Sequence, residues 1–187
     1  MMSTSTPPVR RKTARLTALA VGIVMLAFVG LLATRSPISE GNRPSQLLGK
    51  IAPDISGPRI DNGEIVTLAS LRAQNKYVLL NFFGSYCVPC RQEHPELVKI
   101  EKEFASDVAI LGVLFEDDVS KAREFMEREG GGWPVIESSK TAVDFGVPKI
   151  PETFLIAPTG EVIFKASGSI TRDRFAEAFT QVKVAAQ

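Results

Sequence analysis

The sequence predicts an α/β domain with a central mixed β-sheet flanked by helices, carried behind an N-terminal transmembrane anchor. Three observations lead there. Residues 77–83 and 108–115 are almost continuously apolar, as strands are when a sheet is covered on both faces. Each run is followed by helical spacing, and the chain then closes with a hairpin pattern and an amphipathic helix, an order that builds a layered sheet. Ahead of all this, residues 16–33 contain no charged side chain.

The chain is 187 residues long, room for one ordinary domain plus an appendage. Its hydrophobic content of 44% suffices for a packed core. The net charge of +1 gives no reason to expect a nucleic-acid partner. No internal repeat or low-complexity tract is visible.

Taken in order, residues 1–15 form a polar, basic tail with Arg10, Arg11, Lys12 and Arg15. The anchor follows over 16–34. A helix rising ~1.5 Å per residue covers ~27 Å across the uncharged stretch, close to the hydrocarbon core of a bilayer. Arg35 ends it. The basic cluster places the N-terminus in the cytoplasm and the rest outside, with lipid contact through 16–34. A cleaved signal peptide has a shorter apolar region and a small residue three before the cut. Here Leu31 stands at that position, which favours a retained anchor. No cysteine follows the span, so a lipoprotein anchor is excluded. Either way the domain lies outside the cytoplasm.

Residues 35–46, with Pro, Ser, Gly and Asn, read as a linker, and 47–187 as the domain. Residues 55–60 suit a short strand, kept to an edge by Pro58. Asp61-Asn62-Gly63 is a hairpin turn, 64–68 the return strand, and 70–74 a helical turn. After the buried strand at 77–83 comes a helix over 88–105. Leu97, Ile100 and Phe104 share one face, and Pro95 predicts a kink. The strand at 108–115 leads through Glu116-Asp117-Asp118 to a helix over 120–129. That helix turns Ala122, Phe125 and Met126 inward and stops at Gly130-Gly131-Gly132. A short strand at 133–136 and a brief helix at 141–145 follow. The hairpin strands are 153–156 and 161–165, joined by Pro158-Thr159-Gly160. The last helix, 171–184, carries Phe175, Ala178, Phe179 and Val182.

The chemistry concentrates at Cys87-Val88-Pro89-Cys90, which holds both cysteines of the chain. A Cys-x-x-Cys at the junction of a buried strand and a helix reads as a redox pair. Residues i and i+3 are helix neighbours, so the sulfurs can close a small disulfide ring. At the helix start Cys87 faces unpaired N–H groups and the positive end of the macrodipole, both of which favour thiolate. Pro89 falls in the first turn, where its missing N–H costs little. Cys87 is therefore the attacking thiolate and Cys90 the resolving thiol. A zinc site needs about four ligands, and the chain offers only these cysteines and His94 as soft ligands. Covalent haem attachment needs histidine directly after the second cysteine, where Arg91 stands. A purely structural disulfide usually closes a longer loop. No metal is expected, and no cofactor besides the redox-active Cys87–Cys90 pair.

The order of elements resembles the thioredoxin fold, and the chain is similar to its membrane-anchored TlpA/ResA/CcmG (DsbE) branch. Three segments carry the match. They are Leu48-Gly49-Lys50-Ile51-Ala52-Pro53, Asn81-Phe82-Phe83-Gly84-Ser85-Tyr86-Cys87-Val88-Pro89-Cys90-Arg91-Gln92-Glu93-His94-Pro95, and Gly146-Val147-Pro148-Lys149-Ile150-Pro151-Glu152-Thr153-Phe154-Leu155-Ile156. The resemblance implies that Pro151 is a cis-proline beside the cysteine pair and that Ile150-Pro151 offers backbone to a substrate peptide. It implies a catalytic proton role for Glu93, against the plainer reading of a solvated helix charge. Glu152 matches the maturation proteins as a substrate contact, against a surface charge. Tyr86 stands where the family usually has Trp, which alters the docking surface. Asn81 stands where thioredoxin has a buried Asp, leaving Glu93 to take over the proton role. For His94 a plain helix-surface position is the simpler expectation.

The function implied is an extracytoplasmic, membrane-tethered thiol–disulfide oxidoreductase. By resemblance its substrate is apocytochrome c, a disulfide-containing protein, and a membrane thiol–disulfide electron carrier recycles it. The alternatives are an oxidase introducing disulfides into secreted proteins and a non-catalytic module binding cytochrome or a haem chaperone. The start of the domain has a peroxiredoxin flavour, but no Pro-x-x-x-Thr-x-x-Cys motif is present.

Overall fold

The computed structural model describes residues 10–33, 46–73 and 76–185. The chain divides into two units, residues 1–39 and 40–187. The first contains helix α1, Arg10–Ala33. Over residues 17–30, where its side chains are described, every one is exposed. Among the described residues no helix is long and apolar enough to cross a membrane. The anchor expected over 16–34 extends beyond them, and the tail and linker fall largely outside them.

The second unit opens with a two-stranded antiparallel sheet, β1 (Ser56–Pro58) and β2 (Ile65–Thr67). The expected turn joins them. Arg59 N–H donates to the Glu64 carbonyl at 2.8 Å, and Gly63 takes a left-handed φ of 77° that glycine adopts without a Cβ clash. Helix α2 (Leu68–Arg72) follows, capped by Thr67, whose side chain accepts from Ser70 N–H.

The main sheet has five strands: β3 (Tyr77–Phe83), β4 (Val108–Leu114), β5 (Val135–Glu137), β6 (Glu152–Ile156) and β7 (Val162–Ser167). Their order is β5-β4-β3-β6-β7. Strands β3, β4 and β5 are parallel because helices α3 (Val88–Phe104) and α4 (Val119–Glu129) return the chain between them. Strand β6 runs antiparallel to both β3 and β7, closing the hairpin expected at the C-terminal end. Helix α5 (Ser139–Asp144) lies between β5 and β6, and α6 (Arg172–Ala185) ends the chain.

Alternation along the strands makes two cores. Leu79, Leu155 and Ala166 point to one face, where Leu97 and Ile100 of α3, Phe125 of α4 and Phe175 and Phe179 of α6 cover them. Leu80, Phe82, Phe154 and Ile156 point to the other, packed by Ile55, Leu68, Ala142 and Phe145. Each fully buried Leu, Ile or Phe among them stabilises the fold by about 1.5–3 kcal/mol. Short segments from the start of the domain also line both sheet edges. Leu48 and Ile51 bridge to Val162 and Glu161 beside β7, and Arg59 bridges to Ile136 of β5.

Some details depart from expectation. Strand β5 begins at Val135, because Trp133 turns into the core instead of joining the ladder. His94, expected on the helix surface, is buried. The loop after α4 folds over it, held by a bond from Gly132 N–H to Glu101 Oε1 at 2.9 Å.

Candidate active site

The site forms where β3 ends and α3 begins. Gly84-Ser85-Tyr86 makes the turn, with Cys87 N–H donating to the Gly84 carbonyl at 3.1 Å. Asp117 Oδ2 accepts from Ser85 N–H at 2.5 Å, tying this turn to the loop after β4. Cys87 is the N-cap of α3 and Pro89 lies in its first turn, as the spacing requires. The cysteines are joined, with sulfurs 2.16 Å and Cα atoms 5.3 Å apart. Cys90 N–H donates to Cys87 Sγ at 3.2 Å. In the dithiol form that N–H and the helix dipole act on the Cys87 thiolate. Cys87 is 8% exposed and Cys90 3%, so the sulfur assigned to attack is the more accessible one.

Glu93, one turn beyond Cys90, is only 2% exposed. Oε1 accepts from Asn81 Nδ2 at 2.9 Å and Oε2 from Ile170 N–H at 2.9 Å. Burial pushes its pKa up to about 7, against the opposing pull of the Ile170 and Asn81 bonds. It is a buried acid poised near neutrality, not a solvated helix charge. A carboxylate so placed can take a proton from a neighbouring thiol and return it.

The Ile150–Pro151 peptide bond is cis. Phe82 pairs with Glu152, so Pro151 stands level with the end of β3 from which Cys87 springs. The loop is held from behind by Gly168 N–H donating to the Pro151 carbonyl at 2.9 Å. Tyr86 and Ile150 close over Gly84. A Cβ there would lie 2.8 Å from Tyr86 Cε1 and 3.1 Å from Ile150 Cδ1. Tyr86 is 55% exposed and Val88 is also exposed, which gives the disulfide an apolar, accessible flank. The Tyr86 phenol is pushed up by partial burial and by the charges of Asp117 and Glu116.

Glu152 is placed otherwise than a substrate contact or surface charge would be. It is buried on the sheet face opposite Glu93, 3.0 Å from Lys165 Nζ, and accepts from Ser167 Oγ at 3.1 Å. Lys165 also lies over the Phe154 ring, 5.2 Å from its centroid. His94 sits between Phe125 and Trp133, with ring centroids 4.9 and 5.2 Å away, and Nε2 bonds the Gly130 carbonyl at 2.7 Å. Burial pushes its pKa down.

The structure thus brings Cys87, Cys90 and Glu93 together along one helix, sets Tyr86 and Ile150 side by side, and turns Glu152 away. Sequence reading missed Asn81, Thr153, Lys165, Ser167 and Asp117 as participants. A signal existed for Asn81, a polar residue inside an apolar strand. A cleft of about 260 Å³ lined by Arg59, Arg123, Met126 and Trp133 contains neither cysteine. Its Arg123 guanidinium is engaged by the Ile60 carbonyl.

Residues 48–165 match the AhpC/TSA family. The chain is 32% identical over 158 residues to the thiol:disulfide interchange protein DsbE of Allochromatium vinosum, covering 82% of this chain and 85% of the relative. It is 27% identical over 175 residues to the thiol-disulfide oxidoreductase ResA of Bacillus subtilis, covering 92% of each. Among solved structures it is similar to a thiol:disulfide interchange protein of the thioredoxin family from Chlorobium tepidum TLS. The TM-score there is 0.64 and the identity 26%, over 75% of this chain and 97% of that one. With the cysteine pair capping α3, the cis Pro151 loop beside it and this similarity along most of its length, the chain belongs to the thioredoxin-like AhpC/TSA family, in its TlpA/ResA/CcmG (DsbE) branch.

Proposed function

We propose that this chain is a membrane-tethered thiol–disulfide oxidoreductase that works outside the cytoplasm and reduces apocytochrome c disulfides before haem attachment. The observation that carries it is the Cys87–Cys90 pair at the N-terminus of α3 with a buried carboxyl, Glu93, one turn further on. The Cys87 thiolate attacks a substrate disulfide and forms a mixed disulfide. Cys90 then displaces the substrate sulfur and regenerates the internal bond. Tyr86, Val88 and the Ile150-Pro151 loop supply the surface on which an extended substrate segment lies. Relatives named as thiol:disulfide interchange proteins support this chemistry. The uncharged stretch at 16–33 and the exposed apolar side chains of α1 support the tether. A membrane thiol carrier returns the pair to its dithiol form.

The test is the reduction potential of Cys87–Cys90 in the full chain, held in detergent and equilibrated in defined thiol buffers. A value near ~ −270 mV, like thioredoxin's, supports the reductant, whereas one near ~ −120 mV makes the pair an oxidant that inserts disulfides. Full exchange activity in Cys87→Ser would remove the mechanism. Undiminished apocytochrome binding with both cysteines replaced by serine, and no exchange in the parent, would leave a binding module.

A further inference from the structure

Asn81 breaks an otherwise apolar strand, and the buried amide is not idle. Its Nδ2 donates to Glu93 Oε1 at 2.9 Å and to Thr153 Oγ1 at 3.0 Å. An amide nitrogen has two N–H groups, so both are spent, one toward α3 and one toward β6. Asn81 and Thr153 face each other in the β3–β6 register. Thr153 is two residues after Pro151. We propose that Asn81 is a positioning residue of the redox centre, which holds the Glu93 carboxylate for proton exchange with Cys90 and ties it to the strand behind the cis Pro151 loop. This rests on reading Cys87–Cys90 as the exchange pair.

The geometry gives Glu93 little freedom. Asn81 engages one oxygen and Ile170 N–H the other, so rotating the carboxylate would leave buried polar atoms unpaired. Both donors favour the ionised form against burial, which is why the acid rests near neutrality and not far above it. Several neighbouring charges among the described residues are engaged elsewhere or face solvent. On α3, Arg91 is exposed and Glu96 is paired with Lys99. On β6 and β7, Glu152 and Lys165 pair with each other on the far face of the sheet. On α6, Arg172 pairs with Glu103 and Asp173 at the surface.

In the step concerned, the substrate is already bonded to Cys87 and one substrate thiolate has left. The Cys90 thiol gives its proton to Glu93. The Cys90 thiolate attacks Cys87 Sγ, the Cys87–Cys90 bond forms and the Cys87–substrate bond breaks. The second substrate sulfur leaves as thiolate and is protonated by Glu93 or water. Two electrons pass from the protein dithiol to the substrate disulfide. Without the Asn81 donor Glu93 holds its proton more tightly, and the base form appears only at higher pH.

The test uses full-length protein in detergent, reduced beforehand and mixed once with a synthetic peptide closed by a Cys-x-x-Cys disulfide, over roughly pH 5 to 9. Asn81→Ala is expected to move the pH profile of the resolving step alkaline by about one unit, with a five- to tenfold slower rate near neutrality. In a Glu93→Gln background the same substitution adds no shift, because the amide acts through that carboxylate. Thr153→Val, which loosens the amide while keeping volume, shifts the profile in the same direction by less. It decides the matter in the same way if Asn81→Ala does not fold. A profile that overlays the parent's, or a shift that survives in Glu93→Gln, overturns the assignment of Asn81 while leaving the exchange reading intact. A parent protein inert toward the peptide at every pH overturns both.

Discussion

Glu93 and His94 are adjacent on α3, both are buried, and burial moves them in opposite directions, each toward its neutral form. The consequence for stability follows from sign. Glu93 in the folded chain holds its proton to about pH 7, above its ordinary 4.5, so stability falls as pH rises between those values. Glu93→Gln should therefore gain about 1–3 kcal/mol over the parent in urea unfolding on the alkaline side, and little on the acid side. An equal difference at both ends would show that its titration is not coupled to folding. His94 runs the other way, because its folded pKa is depressed below 6.5. Its contribution is complete above 6.5 and is lost as pH falls toward the folded value. His94→Phe, compared with the parent by the same method, should narrow its deficit in stability on moving from neutral to acid conditions. The cysteines were legible from sequence because their chemistry is local: spacing, a proline and a helix start. The burial of Glu93, His94 and Glu152 was not legible. It depends on Ile170, Gly130 and Lys165, which lie far along the chain and reach them only through the fold.

At the level of elements, the strand that follows cis Pro151 is held by a buried ion pair. Removing one partner leaves a charge with nothing to answer it, so Lys165→Met should cost about 3–5 kcal/mol in denaturant unfolding. Adding Glu152→Gln should restore much of that loss. A single variant as stable as the parent would mean the pair contributes nothing. The β4–β5 junction is as tightly filled. A Cβ at Gly112 would lie 2.9 Å from Val135 Cγ2 and 3.1 Å from Phe83 Cε1. Gly112→Ala should destabilise by about 1–3 kcal/mol by the same measurement, through overpacking. The strands at 77–83 and 108–115 were legible because continuous apolar runs have few other uses; their parallel pairing is what the structure adds to the expected mixed sheet. Strand β5 was less so. Three residues carry almost no periodicity, and Trp133 looked like strand until a histidine claimed it as a packing partner.

For the whole molecule, the reading of residues 16–34 as an anchor makes a simple forecast. Full-length protein should stay with membranes through an alkaline wash, and a chain beginning at residue 47 should not. Recovery of both in the soluble fraction would remove the tether and leave the redox chemistry standing. The division into tail, span, linker and domain came from charge and hydropathy alone, and the described residues cover it only in part. The domain's layered sheet was legible as a class, whereas the threading of its first residues along both sheet edges was not. Isolated bridges at Leu48, Ile51 and Arg59 leave no pattern in the chain. Those bridges have a consequence for the company this protein keeps. A thiol–disulfide oxidoreductase meets other polypeptide chains, and an open strand edge is a template on which extended chains aggregate. Here the segments bridged to β5 and β7 blunt both flanks of the sheet. An approaching extended chain finds less open backbone at those flanks, which guards the domain against edge-to-edge association.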